Sequence, residues 1–171
     1  MHEFHIDGEG GRSYSILVEE VDGTRPDLAP ILLDIDLQTF SEPTFSSYSA
    51  AALLHGARVF LLRADANVIG TCVCLRTWER PDEALLLSMG VRPGWRGRGL
   101  GQRFLAEVLT VLHERGLRAV RLLVSRDNRR AFALYRDVGF QEADVVEDSR
   151  SGERFVVMRT DLPHTLASTA P

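Results

Sequence analysis

Arginine and glycine alternate through Arg96-Gly97-Arg98-Gly99-Leu100-Gly101, where a hydrophobic stretch, Ala84 to Val91, gives way to helical periodicity. That composition suits the capture of a compact anion. Glycines let the backbone turn tightly and bring its N–H groups close to a ligand, and the free N–H groups and dipole of a following helix favour negative charge. Arg92, Arg96, Arg98 and Arg103 add positive charge at this corner, although the whole chain is mildly acidic, with a formal net charge of −4. Charge confined to one place points to a small polyanion and away from a long nucleic acid. RNA binding through the Arg-Gly run is the weaker alternative.

The glycines fall at every second position, which matches neither the GxGxxG turn of dinucleotide folds nor the GxxxxGK[ST] loop of nucleoside triphosphate sites. The run instead resembles the acyl-CoA loop of the GNAT acetyltransferase superfamily, [QR]-x-x-G-x-[GA], here Arg96-x-x-Gly99-x-Gly101. A second block, Asn128-x-x-Ala131-x-x-Leu134-Tyr135-x-x-x-Gly139-Phe140, is similar to the family's Asn…Ala…Leu-Tyr…Gly-Phe segment, in the order and separation the family requires. The resemblance covers roughly residues 58 to 160.

The resemblance implies an acetyl-CoA-dependent N-acetyltransferase, without a metal, acting on a primary amine of a small molecule or peptide by direct attack. It also implies roles for individual residues. The pyrophosphate of the cofactor would lie on backbone N–H groups of Gly97, Arg98, Gly99, Leu100, Gly101 and Gln102, with Arg96 beside them. The pantetheine arm would pair like an added strand with Met89, Gly90 and Val91, and an N–H at Met89 or Val91 would polarise the thioester carbonyl. Asn128 would grip an amide of that arm, and Tyr135 would protonate the departing thiolate.

Several of these residues have a plainer reading. Asn128, next to Asp127, suits an ordinary helix cap. Tyr135 on an apolar helix face suits the core, its hydroxyl merely satisfied. Gly90 inside a strand marks a bulge or close ligand approach, or else only relieves crowding against a helix.

The group that takes the amine's proton is not evident. The two strands that flank the expected cofactor slot, Ala84 to Met89 and Val120 to Val124, carry no carboxylate. By resemblance, Leu123 stands where enzymes that acetylate ribosomal-protein N-termini have a glutamate, which counts against that substrate. Glu83, Asp34, Asp36 and Glu42 are candidates, as is Ser88 relaying a proton through water, and most of them also read as solvated surface charges. Phe40, Glu42, Phe45, Tyr48, Trp78 and Phe155 are candidate walls of an acceptor groove, with Asp36 and Glu42 drawing in a cationic amine; Phe40 and Phe45 alternatively pack two helices together. The missing strand carboxylates keep a second class open, a non-catalytic acyl-CoA-binding sensor or regulatory module.

Periodicity supplies the frame for these residues. Strands are expected over Tyr14–Glu20, Val59–Ala64, Val68–Arg76, Ala84–Val91, Val120–Val124, Ala143–Asp148 and Arg154–Thr160, and helices over Asp27–Gln38, Ser46–His55, Gly99–Arg115 and Asn128–Asp137. Strands and helices so interleaved give an α/β fold, a three-layer α-β-α arrangement. The resemblance makes the mixed central sheet, of about seven strands, splay between its fourth and fifth strands. Residues 12–162 are expected to form a single domain between disordered tails at 1–11 and 163–171, with no internal repeat or linker.

At 171 residues, 44% hydrophobic and 26% charged, the chain has the make-up of a soluble globular protein. No apolar stretch approaches the roughly 20 residues of a membrane span, and Met1-His2-Glu3-Phe4-His5 lacks signal-peptide character, so a cytoplasmic location without membrane partners is expected. Cys72 and Cys74 point the same way from one strand, poorly placed for a mutual disulfide, and the five histidines are scattered without metal-ligand spacing. An exposed last strand could pair with its twin to make a homodimer.

Overall fold

The computed structural model describes residues 2–7, 11, 13–40, 44–149 and 151–163. Strands β1 (His2–Asp7) and β2 (Ser13–Val21) precede helices α1 (Leu28–Thr39) and α2 (Ser47–Leu54). A hairpin of β3 (Ala57–Ala64) and β4 (Asn67–Arg76) leads into β5 (Glu83–Val91), a short 3-10 turn and α3 (Leu100–Glu114). Then follow β6 (Ala119–Ser125), α4 (Arg129–Asp137) and the closing hairpin of β7 (Gln141–Glu147) and β8 (Arg154–Asp161). The strands form one sheet in the order β1-β2-β3-β4-β5-β6-β8-β7. Every neighbour is antiparallel except β5 and β6.

Helices cover both faces. On one, α3 buries Leu100, Phe104, Leu105, Val108, Leu109 and Leu112 against Phe60, Leu62, Cys72 and Leu86. On the other, α1 and α2 bury Leu28, Leu32, Ala50 and Leu54 with Phe45 against Val59, Leu61 and Val73. Residues of β3 alternate between the two cores, which is why its sequence is almost continuously apolar. Ser46 starts α2 through a capping box with Ser49. No helix among the described residues is long and apolar enough to cross a membrane.

The sheet has eight strands where about seven are expected, because His2–Asp7 is not a loose tail but pairs with β2. Phe4 and Ile6 alternate toward the core, and the Arg103 guanidinium sits 3.8 Å from the centre of the Phe4 ring. The expected tail beyond Pro163 lies outside the described residues. The last strand is also not an edge. The apolar β8 lies between β6 and β7, and the polar β7 takes the edge. A twin pairing with this end of the sheet would meet β7, which carries Glu142, Asp144 and Glu147 and is bulged beside Ala143, and not β8.

The parallel ladder between β5 and β6 runs from Glu83↔Ala119 to Leu86↔Leu122 and stops. Beyond it Leu87 to Val91 continue along β4 alone. The split starts at a bulge, since the β4–β5 register shifts so that Leu87 has no opposite number. The extra residue reverses the alternation of β5: Ala84 and Leu86 face α3 before it, Met89 and Val91 after it. An expected bulge at Gly90 thus lies three residues earlier.

Candidate active site

The wedge between the diverging strands is a cavity of about 450 Å³. Its walls bring together Met89, Gly90 and Val91 of β5, the loop residues Arg96, Gly97, Gly99, Leu100, Gly101 and Gln102, and Asn128 and Tyr135 at the two ends of α4. Arg98 is not on the wall; its guanidinium stands 5.5 Å from the centre of the Trp95 ring.

Local backbone chemistry explains the loop. Gly97 and Gly99 have φ of 79° and 70°, the left-handed region that side chains disfavour, and Gly99 caps α3. Gly101 lets α3 and α4 approach closely: a Cβ there would lie 2.9 Å from Leu134 Cδ1 and would push that side chain aside. The Gln102 side chain ties α3 to Asp137 of α4 at 3.0 Å.

On β5, Arg92 N–H donates to Ile69 O at 2.8 Å. Antiparallel pairs alternate between bonded and non-bonded, so Gly90 turns its peptide groups to Thr71, and Met89 and Val91 turn theirs away from β4 into the cleft. The Val91 carbonyl is met there by Arg96 Nε at 2.8 Å. Both N–H groups and the Met89 carbonyl remain for a ligand. Gly90 has a steric part: a Cβ would lie 2.7 Å from Thr39 Oγ1, so the crowding against a helix is real.

The arginines divide unexpectedly. Arg92 bonds Asp34 at 2.5 Å and the Val68 carbonyl at 3.0 Å, and Arg103 covers Phe4. Arg96 ties the loop to the end of α1 through Gln38 O at 3.4 Å, and burial, then the Arg130 charge, lowers its pKa. Arg130, on α4, lines the cleft and was not singled out by the sequence motifs, although it lies two residues after Asn128. Asn128 is a helix cap, its Oδ1 accepting from Ala131 N–H at 3.1 Å, which leaves the amide NH₂ for a ligand. Tyr135 is buried, its ring 5.8 Å from that of Phe140; burial first, then Cys72 and Cys74, push its phenol pKa up. The two cysteines are free and buried with their sulfurs 3.9 Å apart.

The expected proton acceptors are placed elsewhere. Glu83 is at the opposite end of β5 from the cleft, held by Arg121 at 2.7 Å and Arg159 at 3.1 Å. Asp36 is buried and accepts from the N–H groups of Thr44 at 2.6 Å and Phe45 at 3.4 Å, while Asp34 is paired with Arg92. Ser88 is buried, and Glu42 lies outside the described residues. Among the described residues the only carboxylate on the cleft wall is Asp137, bonded to Gln102. Of the expected acceptor walls, Phe40 lines the cleft and Phe45 packs α1 on α2. Tyr48 and Trp78 are 85% and 95% exposed, and Trp78 belongs to the loop at the far end of β5. Phe155 lies half-buried on β8. No group of His, Cys, Asp and Glu among the described residues could hold a metal ion.

Residues 25–140 match the family described as "Acetyltransferase (GNAT) family". Over 106 residues the chain is 38% identical to the [ribosomal protein bS18]-alanine N-acetyltransferase of Escherichia coli K12, covering 62% of this chain and 67% of that one. A crystal structure of the ribosomal-protein-S18-alanine N-acetyltransferase from Escherichia coli superposes with a TM-score of 0.73 at 20% identity, covering 91% of this chain and 99% of that one. An N-acetyltransferase of Methanocaldococcus jannaschii is 29% identical over 92 residues, 52% of this chain and only 41% of its own length. A GNAT family acetyltransferase from Elizabethkingia anophelis with acetyl-CoA bound has a TM-score of 0.70 at 15% identity over 86% of this chain and 98% of that one.

Proposed function

The chain belongs to the GNAT acetyltransferase family, and from that premise we propose that its β5–β6 cleft transfers the acetyl group of acetyl-CoA to a primary amine of a peptide or small molecule. The observation that carries this reading is the pair of N–H groups at Met89 and Val91, released from the sheet by the Leu87 bulge and facing the glycine loop's cavity.

In this reading the loop N–H groups and the start of α3 receive the pyrophosphate, with Arg130 adding charge across the gap. The pantetheine arm lies along Met89 and Val91, and one of their N–H groups stabilises the oxyanion as the amine nitrogen attacks the thioester carbon. The C–S bond then breaks, the sulfur takes the Tyr135 proton, and the proton lost by the amine leaves through solvent and restores the phenol. Both cysteines are buried, and the Cys74 contact followed by burial pushes the Cys72 thiol pKa up, which supports direct attack over an acyl-enzyme.

Calorimetry with CoA and a thiol-release assay across polyamines, aminoglycosides, amino acids and short peptides test the proposal. Binding together with release supports it. No affinity for CoA would sink it. All 20 basic residues are arginine, so no lysine of the chain can act as a hidden acceptor in that assay. Among the described residues the cleft has no free carboxylate, which favours one rival, a sensor that binds acyl-CoA without turnover and would show binding and no release. Arg130→Ala is expected to raise KM for acetyl-CoA roughly threefold to fivefold with kcat unchanged, an effect that shrinks with added salt because the arginine is exposed.

A further inference from the structure

We propose that Arg121 and Arg159 select an acceptor carrying an anionic group, carboxylate or phosphate, about 13 Å from its reacting amine. This rests on the acetyl-transfer reading above and specifies its substrate class.

The two arginines share one face of the sheet. Val120, Leu122 and Val124 of β6, and Val156 and Met158 of β8, pack on the α3 side, so Arg121, Leu123, Val157 and Arg159 face the opposite side. Helices α1 and α2 cover β3, β4 and β5 on that side. Past β5 on that side Leu123 is 46% exposed, while Val157 beside it is buried. The Arg121 and Arg159 side chains are 32% and 36% exposed. In the parallel ladder Arg121 lies level with Leu85, four residues below Met89 along β5, or about 13 Å. An acceptor whose amine reaches the thioester from this face therefore runs down the strand toward the guanidiniums.

Buried Glu83 fixes these arginines without neutralising them. Its Oε1 stands 2.7 Å from Arg121 Nε and its Oε2 accepts from Arg159 Nε at 3.1 Å, while Arg80 approaches at 3.6 Å. Arg159 Nη1 also pairs with Asp161 at 2.7 Å. Three arginines thus meet two carboxylates, and the Nη groups of Arg121 lie beyond its contact with Glu83. Asp144, across β8 on the same face, accepts from the N–H of Val145 at 2.8 Å. Of the acids expected to attract a cationic amine, Asp36 is engaged by backbone N–H groups and Glu42 lies outside the described residues. At Leu123, where the resemblance leads one to look for a glutamate, there is no charge. A cationic acceptor therefore finds no carboxylate on β6, whereas an anionic one meets two guanidiniums, a group able to pair two oxygens at once.

The test measures kcat/KM for peptides with free N-termini that differ only in carrying Glu, phosphoserine, Gln or Lys at the fourth or fifth position. The Glu or the phosphoserine peptide is expected to exceed its Gln counterpart at least tenfold, with Lys below Gln, and the comparison tells carboxylate from phosphate. R121Q should reduce that advantage below threefold while acetyl-CoA affinity is retained. E83Q, which frees the guanidiniums, should enlarge it, and R121K, which keeps the charge if the fold tolerates no neutral residue, should preserve part of it. Equal rates across the set, no turnover of any peptide, or an acidic preference that survives R121Q would each overturn the inference. If the site reading itself were wrong, acetyl-CoA would not bind; if only this inference were wrong, it would bind and the preference would be missing.

Discussion

Replacing Tyr135 by phenylalanine is expected to lower kcat by about a hundredfold to ten-thousandfold while CoA binds as before. The substitution keeps the ring against Phe140 and the buried packing, so folding is little changed and the loss falls on the chemical step. A purely structural hydroxyl gives the opposite pattern, unaltered kcat with a small loss of stability. The pH dependence separates these outcomes further. Burial raises the phenol's pKa above its ordinary value of about 10, so the proton needed by the departing thiolate stays in place throughout the neutral and moderately alkaline range. The rate should rise with pH as the acceptor amine loses its proton and should show no falling limb from Tyr135 between about pH 7 and 9.5. A falling limb in that window that disappears in Tyr135→Phe would show a phenol pKa lower than burial implies, whereas kcat unchanged in Tyr135→Phe would refute the acid role.

The same shift has a consequence for stability. The folded-state pKa lies above the unfolded one, so the contribution of the neutral phenol is complete below about pH 10 and is lost as pH rises from there toward the folded value. Tm measured from pH 8 upward should fall in wild type above about pH 10 more than in Tyr135→Phe.

Local patterns made much of this site legible before any coordinates. Alternating glycines, the apolar stripe of α3 and the seven-residue step from Asn128 to Tyr135 depend on neighbours a few positions away, and the fold puts them where such periodicity points. What sequence did not reveal depends on distant partners. The bulge at Leu87 is a matter of register against β4, and nothing in Leu85-Leu86-Leu87 marks which leucine is extra. Glu83 adjoins the right strand but at its wrong end, because direction along a strand matters as much as membership. Asp36 looks like a solvated acid or a base, yet it faces inward and fastens the chain that follows α1. Arg92 and Arg103 sit beside the loop in sequence while their guanidiniums bind elsewhere, and Arg130 arrives from another helix. β1 was missed because its few alternating residues, Phe4-His5-Ile6, gain their meaning only from pairing with β2.

Gly90 and Thr39 should behave as a coupled pair. Alanine at 90 would place a Cβ 2.7, 3.1 and 3.2 Å from Thr39 Oγ1, Cγ2 and Cβ, closer than packed atoms tolerate. Overpacking of this kind costs about 1–3 kcal/mol, a fall in Tm of roughly 2–4 °C for each kcal/mol in a domain of this size. It also moves the β5 edge, and with it the N–H groups of Met89 and Val91 that flank Gly90 in the cleft, so kcat/KM should drop at least about tenfold if a displacement near 1 Å reaches the thioester. Thr39→Ala alone should cost little, since its Oγ1 is shut off from solvent with no hydrogen-bond partner among the described residues, and removing an unsatisfied hydroxyl offsets the lost methyl contact. The double variant deletes the two nearest obstructions and should recover most of the stability lost in Gly90→Ala, a coupling of about 1–2 kcal/mol. Close approach of the ligand would give another pattern. If Gly90 is small only to admit the pantetheine arm, Gly90→Ala weakens acetyl-CoA binding without lowering Tm, and Thr39→Ala restores nothing. Melting curves and calorimetry on the three variants decide between a glycine kept for the helix behind the strand and one kept for the ligand in front of it.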